Sequence, residues 1–262
     1  MQLLLRLSSQ RGFTLIELII AMMVLSILAI GSVQFIGLSA RSYVDTLERS
    51  GTSSRASIIN EKINRFIHSA LPNSLRVTAD GSCIESLPIL AATTYVAAPI
   101  VGNAASSNQV SLVTIDSLLA NAGYGVIYPT ANNSVLYNNQ RNPGRISSEV
   151  MSLQSSLNGE SIFVFANGAS FQFEQPSVKN RFFMVNSPTA ICQFGEYIFL
   201  YQNYGFIPSI NNLQASLPSQ LPNRWLLANN IQPSSLTFNV SVSTLKRNGL
   251  VSYEYTLQAS QV

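Results

Sequence analysis

The 262 residues are 47% hydrophobic, 9% aromatic and only 10% charged, with 15 Lys+Arg, 12 Asp+Glu, one His and two Cys. That length accommodates one large domain or two small ones with a real core, since domains run to about 150 residues each. A net charge of +3 is too small and too scattered for a nucleic-acid stripe, and one His with two Cys leaves almost nothing for a zinc site. The charged fraction is well below the roughly 25% usual for soluble domains. Ser, Asn, Gln and Thr take the place of charges, as in exported proteins.

Residues 1–12 are short and mildly polar, with Arg6 and Arg11 and no acid. The run Phe13–Leu38 then carries a single charge, Glu17, and no proline. As a helix rising ~1.5 Å per residue it covers about 39 Å, more than the roughly 30 Å hydrocarbon slab. Both arginines precede it, so the positive-inside rule keeps the N-terminus cytoplasmic and sends the remainder outward. A secretory signal peptide has a shorter apolar core, of about 7–15 residues, with its small-residue cleavage site behind it. Here the small residue, Gly12, stands in front. A plain signal anchor gives no reason for Glu17, because an acid at mid-membrane costs about 2.5–3.5 kcal/mol.

The segment Arg11-Gly12-Phe13-Thr14-Leu15-Ile16-Glu17, followed by its apolar helix, resembles the class III signal of type IV prepilins and type II secretion pseudopilins. The resemblance implies a leader of residues 1–12, cut between Gly12 and Phe13 by a prepilin peptidase that also N-methylates Phe13, with Glu17 fifth in the mature chain. It implies partners as well: other major and minor pilins met through their N-terminal helices, the processing enzyme, an inner-membrane assembly platform and the lipid bilayer. The chain would sit in the bacterial inner membrane as a single-pass prepilin with a periplasmic head, then enter a pilus or pseudopilus. The freed α-amine of Phe13 has a reference pKa of about 7.7–8 and is mostly protonated at neutral pH. Glu17 lies about 6 Å further along the helix. In a staggered bundle its carboxylate meets a neighbour's ammonium, and a misregistered subunit leaves both charges unpaired, so the pair sets register.

Apolar residues continue at spacings of mostly three and four through Val44, Leu47, Ile58, Ile59, Ile63, Phe66, Ile67 and Leu71. This predicts one helix over Phe13–Leu71, with a membrane or filament half at 13–38 and an amphipathic half at 39–71 that packs on a head. Pro72 stops it, and the Ser50–Ser54 patch is where it would bend or loosen. The position that carries a kinking proline in many major pilins is Gln34, a departure that points to a minor component.

From residue 72 to 262 short alternating runs separated by Gly, Asn, Pro and Ser read as an antiparallel β head. Strands are expected at Leu75–Thr78, Gln109–Ile115, Ser161–Phe165, Arg181–Val185, Ala190–Phe194, Tyr197–Tyr204, Ser235–Val240 and Leu250–Leu257, with a tight hairpin at Gly195-Glu196. In the last strand Val251, Tyr253, Tyr255 and Leu257 share one face, which predicts a sheet with one buried side. Asn121–Arg145 and Gln214–Asn223 read as long surface loops. The fold class is therefore α+β, type IV pilin-like: a long N-terminal helix on an antiparallel head. Ala70–Val77, Asn180–Phe183 and the stretches Leu227–Ile231 and Arg247–Val251 are similar to minor pilins of the mannose-sensitive haemagglutinin pilus, the MshO-like branch, which is related to PilW and pseudopilin J types. That similarity implies further residues after the last strand, and so an abbreviated C-terminal edge.

Cys83 and Cys192 default to a disulfide in an oxidising periplasm, with two free buried thiols as the alternative. With His68 as the only histidine, no triad and no His-based acid–base pair can be assembled, and no G-x-S-x-G, P-loop or C-x-x-C occurs. Neither an enzyme nor a cofactor or metal protein is expected. The leading reading is a minor pilin that helps to initiate assembly with other minor pilins. The alternatives are an adhesin-type head using Asn121–Arg145, with Tyr124 and Tyr128 as contact residues, or a minor pseudopilin of type II secretion.

Overall fold

The computed structural model describes residues 12–114, 122–130, 133–241 and 249–258. The leader through Arg11, Ile115 and Asn121 in the sequence reading, and the Arg247-Asn248 pair, lie outside them. The chain forms two compact units divided between Ser54 and Arg55.

One α-helix, α1, runs Leu15–His68 and stays α-helical through Ser50–Ser54. In the first unit its large apolar side chains are exposed, Val44 and Leu47 among them. In the second unit Ile59, Ile63 and Phe66, four and three apart, are its buried stripe, while Ile58 is half exposed. The helix ends three residues before the expected Leu71. The Ser69 hydroxyl donates to the Phe66 carbonyl (2.9 Å), the Leu71 N–H donates to the Leu87 carbonyl (2.7 Å), and the Ser69 carbonyl accepts from Ile89 N–H (2.8 Å). Backbone pairing with the 87–89 segment captures the chain before Pro72 can stop it.

Beyond α1 come β1 (Arg76–Val77), β2 (Cys83–Ser86), β3 (Ile89–Ala97), β4 (Gln109–Val113), β5 (Ala122–Ile127) and a single helical turn, α2 (Asn133–Leu136). They are followed by β6 (Met151–Leu157), β7 (Glu160–Phe165), β8 (Arg181–Val185), β9 (Thr189–Phe194), β10 (Tyr197–Tyr201), a second turn, α3 (Leu213–Ser216), β11 (Arg224–Ala228), β12 (Thr237–Ser241) and β13 (Leu250–Glu254). Among the described residues these strands form an antiparallel sheet in the order β1-β2-β9-β10-β11, the hairpin β12-β13, and a closed barrel β3-β4-β7-β6-β5-β8. A long helix followed by antiparallel sheets is the α+β order expected of a pilin-like chain.

The sheet is covered on both faces. Ile84, Ile191 and Ile198 pack with Ile59, Ile63 and Phe66 of α1, while Cys83, Ala190, Cys192 and Tyr201 pack with Ile207 and Leu213 behind. Strands β2 and β9 therefore show no polar alternation, which is why CIES does not read as a strand. Barrel strands β7 and β8 do alternate, and they fill the interior with Phe163, Phe165 and Phe182 beside Phe171 and Phe173. Val251, Tyr253, Tyr255 and Leu257 share the buried side as expected, and the Tyr255 hydroxyl donates to Asn60 Oδ1 at 3.0 Å.

Asn121–Arg145 is not a surface loop. It contains β5 and α2, and it buries Val126, Ile127, Leu136, Tyr137 and Arg145. Its glycines serve close packing rather than a turn: a Cβ on Gly125 would lie 2.6 Å from Met151 Sδ and 2.7 Å from Phe182 Cζ. Of Gln214–Asn223, the first residues belong to α3, anchored by buried Leu213.

Cys83 and Cys192 stand directly opposite one another on β2 and β9, with Cα atoms 4.2 Å apart, and are joined by a disulfide. It closes 109 residues of sequence, and β3 to β8 all lie inside that loop. Replacing both cysteines by serine is expected to cost about 2–4 kcal/mol, lowering the melting temperature of the detergent-solubilised chain by about 5–15 °C. Differential scanning fluorimetry of the double variant checks this.

In the β1–β2 turn the Asp80 carboxylate accepts from Ser82 Oγ (2.7 Å) and Gln214 Nε2 (3.3 Å). Hydrogen bonding, foremost from Thr78, lowers its pKa to about 2. A depressed folded-state value means stability that is present above the ordinary value of 3.8 and is lost as pH falls towards 2. The Asp80→Asn variant is expected to lack that part of the acid transition in a pH-dependent unfolding series.

Candidate functional site

The segment that sequence analysis singles out begins at Gly12. Gly12, Phe13 and Thr14 precede the helix, and Leu15 opens it. The Thr14 carbonyl accepts from the N–H groups of Glu17 (3.1 Å) and Leu18 (3.3 Å), and the Thr14 hydroxyl accepts from Glu17 N–H at 3.4 Å. Thr14 is thus the N-cap, and Thr14-Leu15-Ile16-Glu17 has the T-x-x-E spacing of a capping box. Sequence reading passed over Thr14, although this spacing is a helix-start signal. Glu17 falls in the first turn, where the positive end of the helix dipole favours an acid.

No contact among the described residues demands glycine at 12, since a Cβ built there meets nothing within 4 Å. From Phe13 (80% exposed) to Leu38 the large apolar side chains all stand exposed. The apolar part of α1 is long enough to cross a membrane, and none of it is buried by the rest of the chain. A surface of this extent belongs against lipid or other helices. Its hydroxyls already answer to such a setting. Ser26 Oγ donates to the Met22 carbonyl and Ser32 Oγ to the Leu28 carbonyl, each at 2.7 Å, so neither brings an unsatisfied donor into hydrocarbon. Glu17 differs. Among the described residues its carboxylate meets no cation and accepts no hydrogen bond. The apolar part of α1 therefore carries one acid in an otherwise self-satisfied surface, and that acid has no partner among the described residues.

The head holds the second concentration of charge, and it is fully engaged. Glu85 on β2 and Arg76 on β1 are buried and form an ion pair through Nε. Arg76 also donates to the carbonyls of Ile207 and, at 2.9 Å, Pro208, and its guanidinium stacks 3.5 Å from the Tyr137 ring centre. Tyr204 donates to Glu85 Oε1 (2.8 Å) and Tyr137 to the Ser74 carbonyl (2.9 Å). Burial pushes the Glu85 carboxyl up, against the pull of Arg76, and raises both tyrosines well above their ordinary value. The cluster ties the helix exit, the residue after α2 and the 204–208 segment together. Nothing in the spacing of Arg76, Glu85, Tyr137 and Tyr204 announces it.

The remaining candidates are structural. His68 is exposed at the last position of α1. Tyr124 packs edge-on to Phe206 with ring centres 4.8 Å apart, and Tyr128 lies under Arg145 at 5.1 Å. Both rings offered as contact residues are thus occupied inside the head. Among the described residues no three of His, Cys, Asp and Glu come together.

The model of one known family, the prokaryotic N-terminal methylation motif, matches residues 7–33, a span that includes Gly12, Phe13 and Glu17. No curated protein and no solved structure matches the chain. The matched motif and the apolar helix behind it support a type IV pilin or pseudopilin precursor, anchored in a membrane by its N-terminal helix.

Proposed function

We propose that the chain is a minor type IV pilin, made as an inner-membrane prepilin, cut between Gly12 and Phe13, N-methylated on Phe13, and inserted through α1 into a filament whose assembly it helps to initiate. The observation that carries this reading is the coincidence, inside the matched motif, of a glycine that no contact among the described residues requires, an acid five residues on with no partner among them, and an exposed apolar helix. Head resemblance to minor pilins of the mannose-sensitive haemagglutinin pilus favours that pilus over a type II secretion pseudopilus. The second reading, an adhesin-type head using Asn121–Arg145, keeps an exposed stretch at residues 140–143, while Val126, Ile127, Leu136 and Tyr137 of the same segment are core.

Mass analysis of the mature N-terminus, in cells with and without a prepilin peptidase, tests the reading. With the enzyme the chain is expected to start at N-methyl-Phe13, and without it at Met1. A chain that begins at Met1 in both cells ends the proposal. Deleting the gene should then abolish or sharply reduce filaments. Normal filaments with lost attachment would argue for a ligand-binding role instead.

A further inference from the structure

Strand β11 is an edge of the five-stranded sheet, and what blunts it lies at its two ends, Arg224 at the start and the register shift past Leu226. It pairs with β10 on one side, Trp225 opposite Leu200, and the Gln202 N–H donates to the Asn223 carbonyl (2.9 Å). Antiparallel alternation then turns the N–H and C=O of Trp225 towards β10 and those of Arg224 and Leu226 outward. The register shifts past Leu226, and the Leu227 carbonyl accepts from Lys62 Nζ (3.2 Å), which closes the free stretch. No proline or lysine blunts this edge. Instead Trp225 and Leu226 stand 51% and 55% exposed.

Beside the edge, between β11 and the last turns of α1, runs a groove of about 520 Å³. Its floor is apolar, formed by Ile191, Leu200 and Phe66 with Trp225 at the mouth. Its lining includes two cations, Lys62 and Arg65; Arg65 is paired with Glu61 one turn earlier on α1, and Lys62 meets no carboxylate among the described residues. It also holds the hydroxyl of Thr189, which is buried and has no hydrogen-bond partner.

We infer that β11 accepts an extended segment of another polypeptide as an added antiparallel or parallel strand, one that places an apolar and an acidic side chain, two residues apart, into the groove beside Trp225. The outward groups of Arg224 and Leu226 supply the main-chain bonds, which are the source of affinity in strand addition, and pockets for alternate side chains supply specificity. The acid is selected by Lys62, which meets no carboxylate among the described residues, whereas Arg65 is paired with Glu61. This inference concerns the head alone and does not depend on how the N-terminus is processed.

Trp225 is the only tryptophan in the chain, so its emission reports on this groove directly. The test titrates the full chain in detergent with three ten-residue peptides. The first alternates serine with leucine and glutamate, the second replaces glutamate by lysine, and the third is the first with every second amide N-methylated. Saturable binding of the first with a shift in Trp225 emission is expected, with at least tenfold weaker binding of the other two. Leu226→Pro is expected to abolish binding of the first peptide while leaving the melting temperature within a few degrees, because that N–H points away from β10. The Lys62→Glu variant is expected to narrow or reverse the preference for glutamate over lysine. Absence of any emission shift overturns the inference. So does equal binding of the N-methylated peptide, which would mean side-chain capture without strand addition, and so does equal binding of the lysine peptide.

Discussion

If the chain is the proposed pilin, replacing Glu17 with glutamine is expected to lower its recovery in sheared filaments at least tenfold while leaving its membrane level unchanged or higher. The two effects have opposite signs because they draw on different surroundings. For a single helix in lipid the carboxylate is a burden, of up to about 2.5–3.5 kcal/mol at mid-membrane, and glutamine relieves part of it. In the proposed filament the same carboxylate answers a neighbour's N-terminal ammonium, and removing one member of a buried pair costs about 3–5 kcal/mol, where 1.4 kcal/mol is already tenfold. Glutamine is the informative choice because it preserves the capping spacing from Thr14, so the helix start is kept and a folding defect is avoided. Immunoblots of the membrane and filament fractions read both quantities. Equal recovery of the variant in filaments would remove Glu17 from the register mechanism and leave it as a local helix-capping residue.

Glu85→Ala is expected to destabilise the head by about 3–5 kcal/mol, a fall of about 6–20 °C in melting temperature for a unit of this size. The variant leaves the Arg76 guanidinium buried with two carbonyls and an aromatic face but no anion. It also deprives the Tyr204 hydroxyl of its acceptor. The double replacement Arg76→Met with Glu85→Leu removes the charge altogether and is expected to melt higher than the single variant, since the penalty lies in the orphaned ion rather than in the lost attraction. Thermal unfolding of the three proteins in one detergent separates these cases. A single variant within 1 kcal/mol of the parent would show that water reaches Arg76 and that the cluster is not a closed one.

How much of this could be read from the residues alone depended on whether a signal was local. The apolar run, its single acid and the Gly12-Phe13 junction are contiguous, and their pattern carried the helix and the motif into view together. Strands β8, β9 and β10 alternate or abut a two-residue turn, and their predicted limits lie within a few residues of those observed. What escaped notice lacked period or contrast. Strand β2 is covered on both sides, β3 is mostly Ala and Thr, and β6 is largely Ser. The hairpin at Asn158-Gly159 was nevertheless legible: both residues take positive φ between β6 and β7, and Asn-Gly is the strongest short hairpin signal. Of the eight non-glycine residues at positive φ among those described, six are asparagines, each holding the backbone at a fixed turn. The Arg76–Glu85 cluster joins residues more than a hundred positions apart, beyond the reach of any periodicity.

The Cys83–Cys192 link gives the head a modular anatomy. Ser86 faces Thr189 across the β2–β9 ladder, so the whole barrel leaves and returns through two neighbouring points of one sheet. Topologically it is a cassette threaded onto a hairpin. Two anchors hold this cassette to the helix exit: the pairing of Leu71 and Ser69 with Leu87 and Ile89, and Tyr137 against Arg76 and the Ser74 carbonyl. Change inside the cassette that spares Leu87, Ile89 and Tyr137 therefore leaves the register of the helix-bearing sheet untouched.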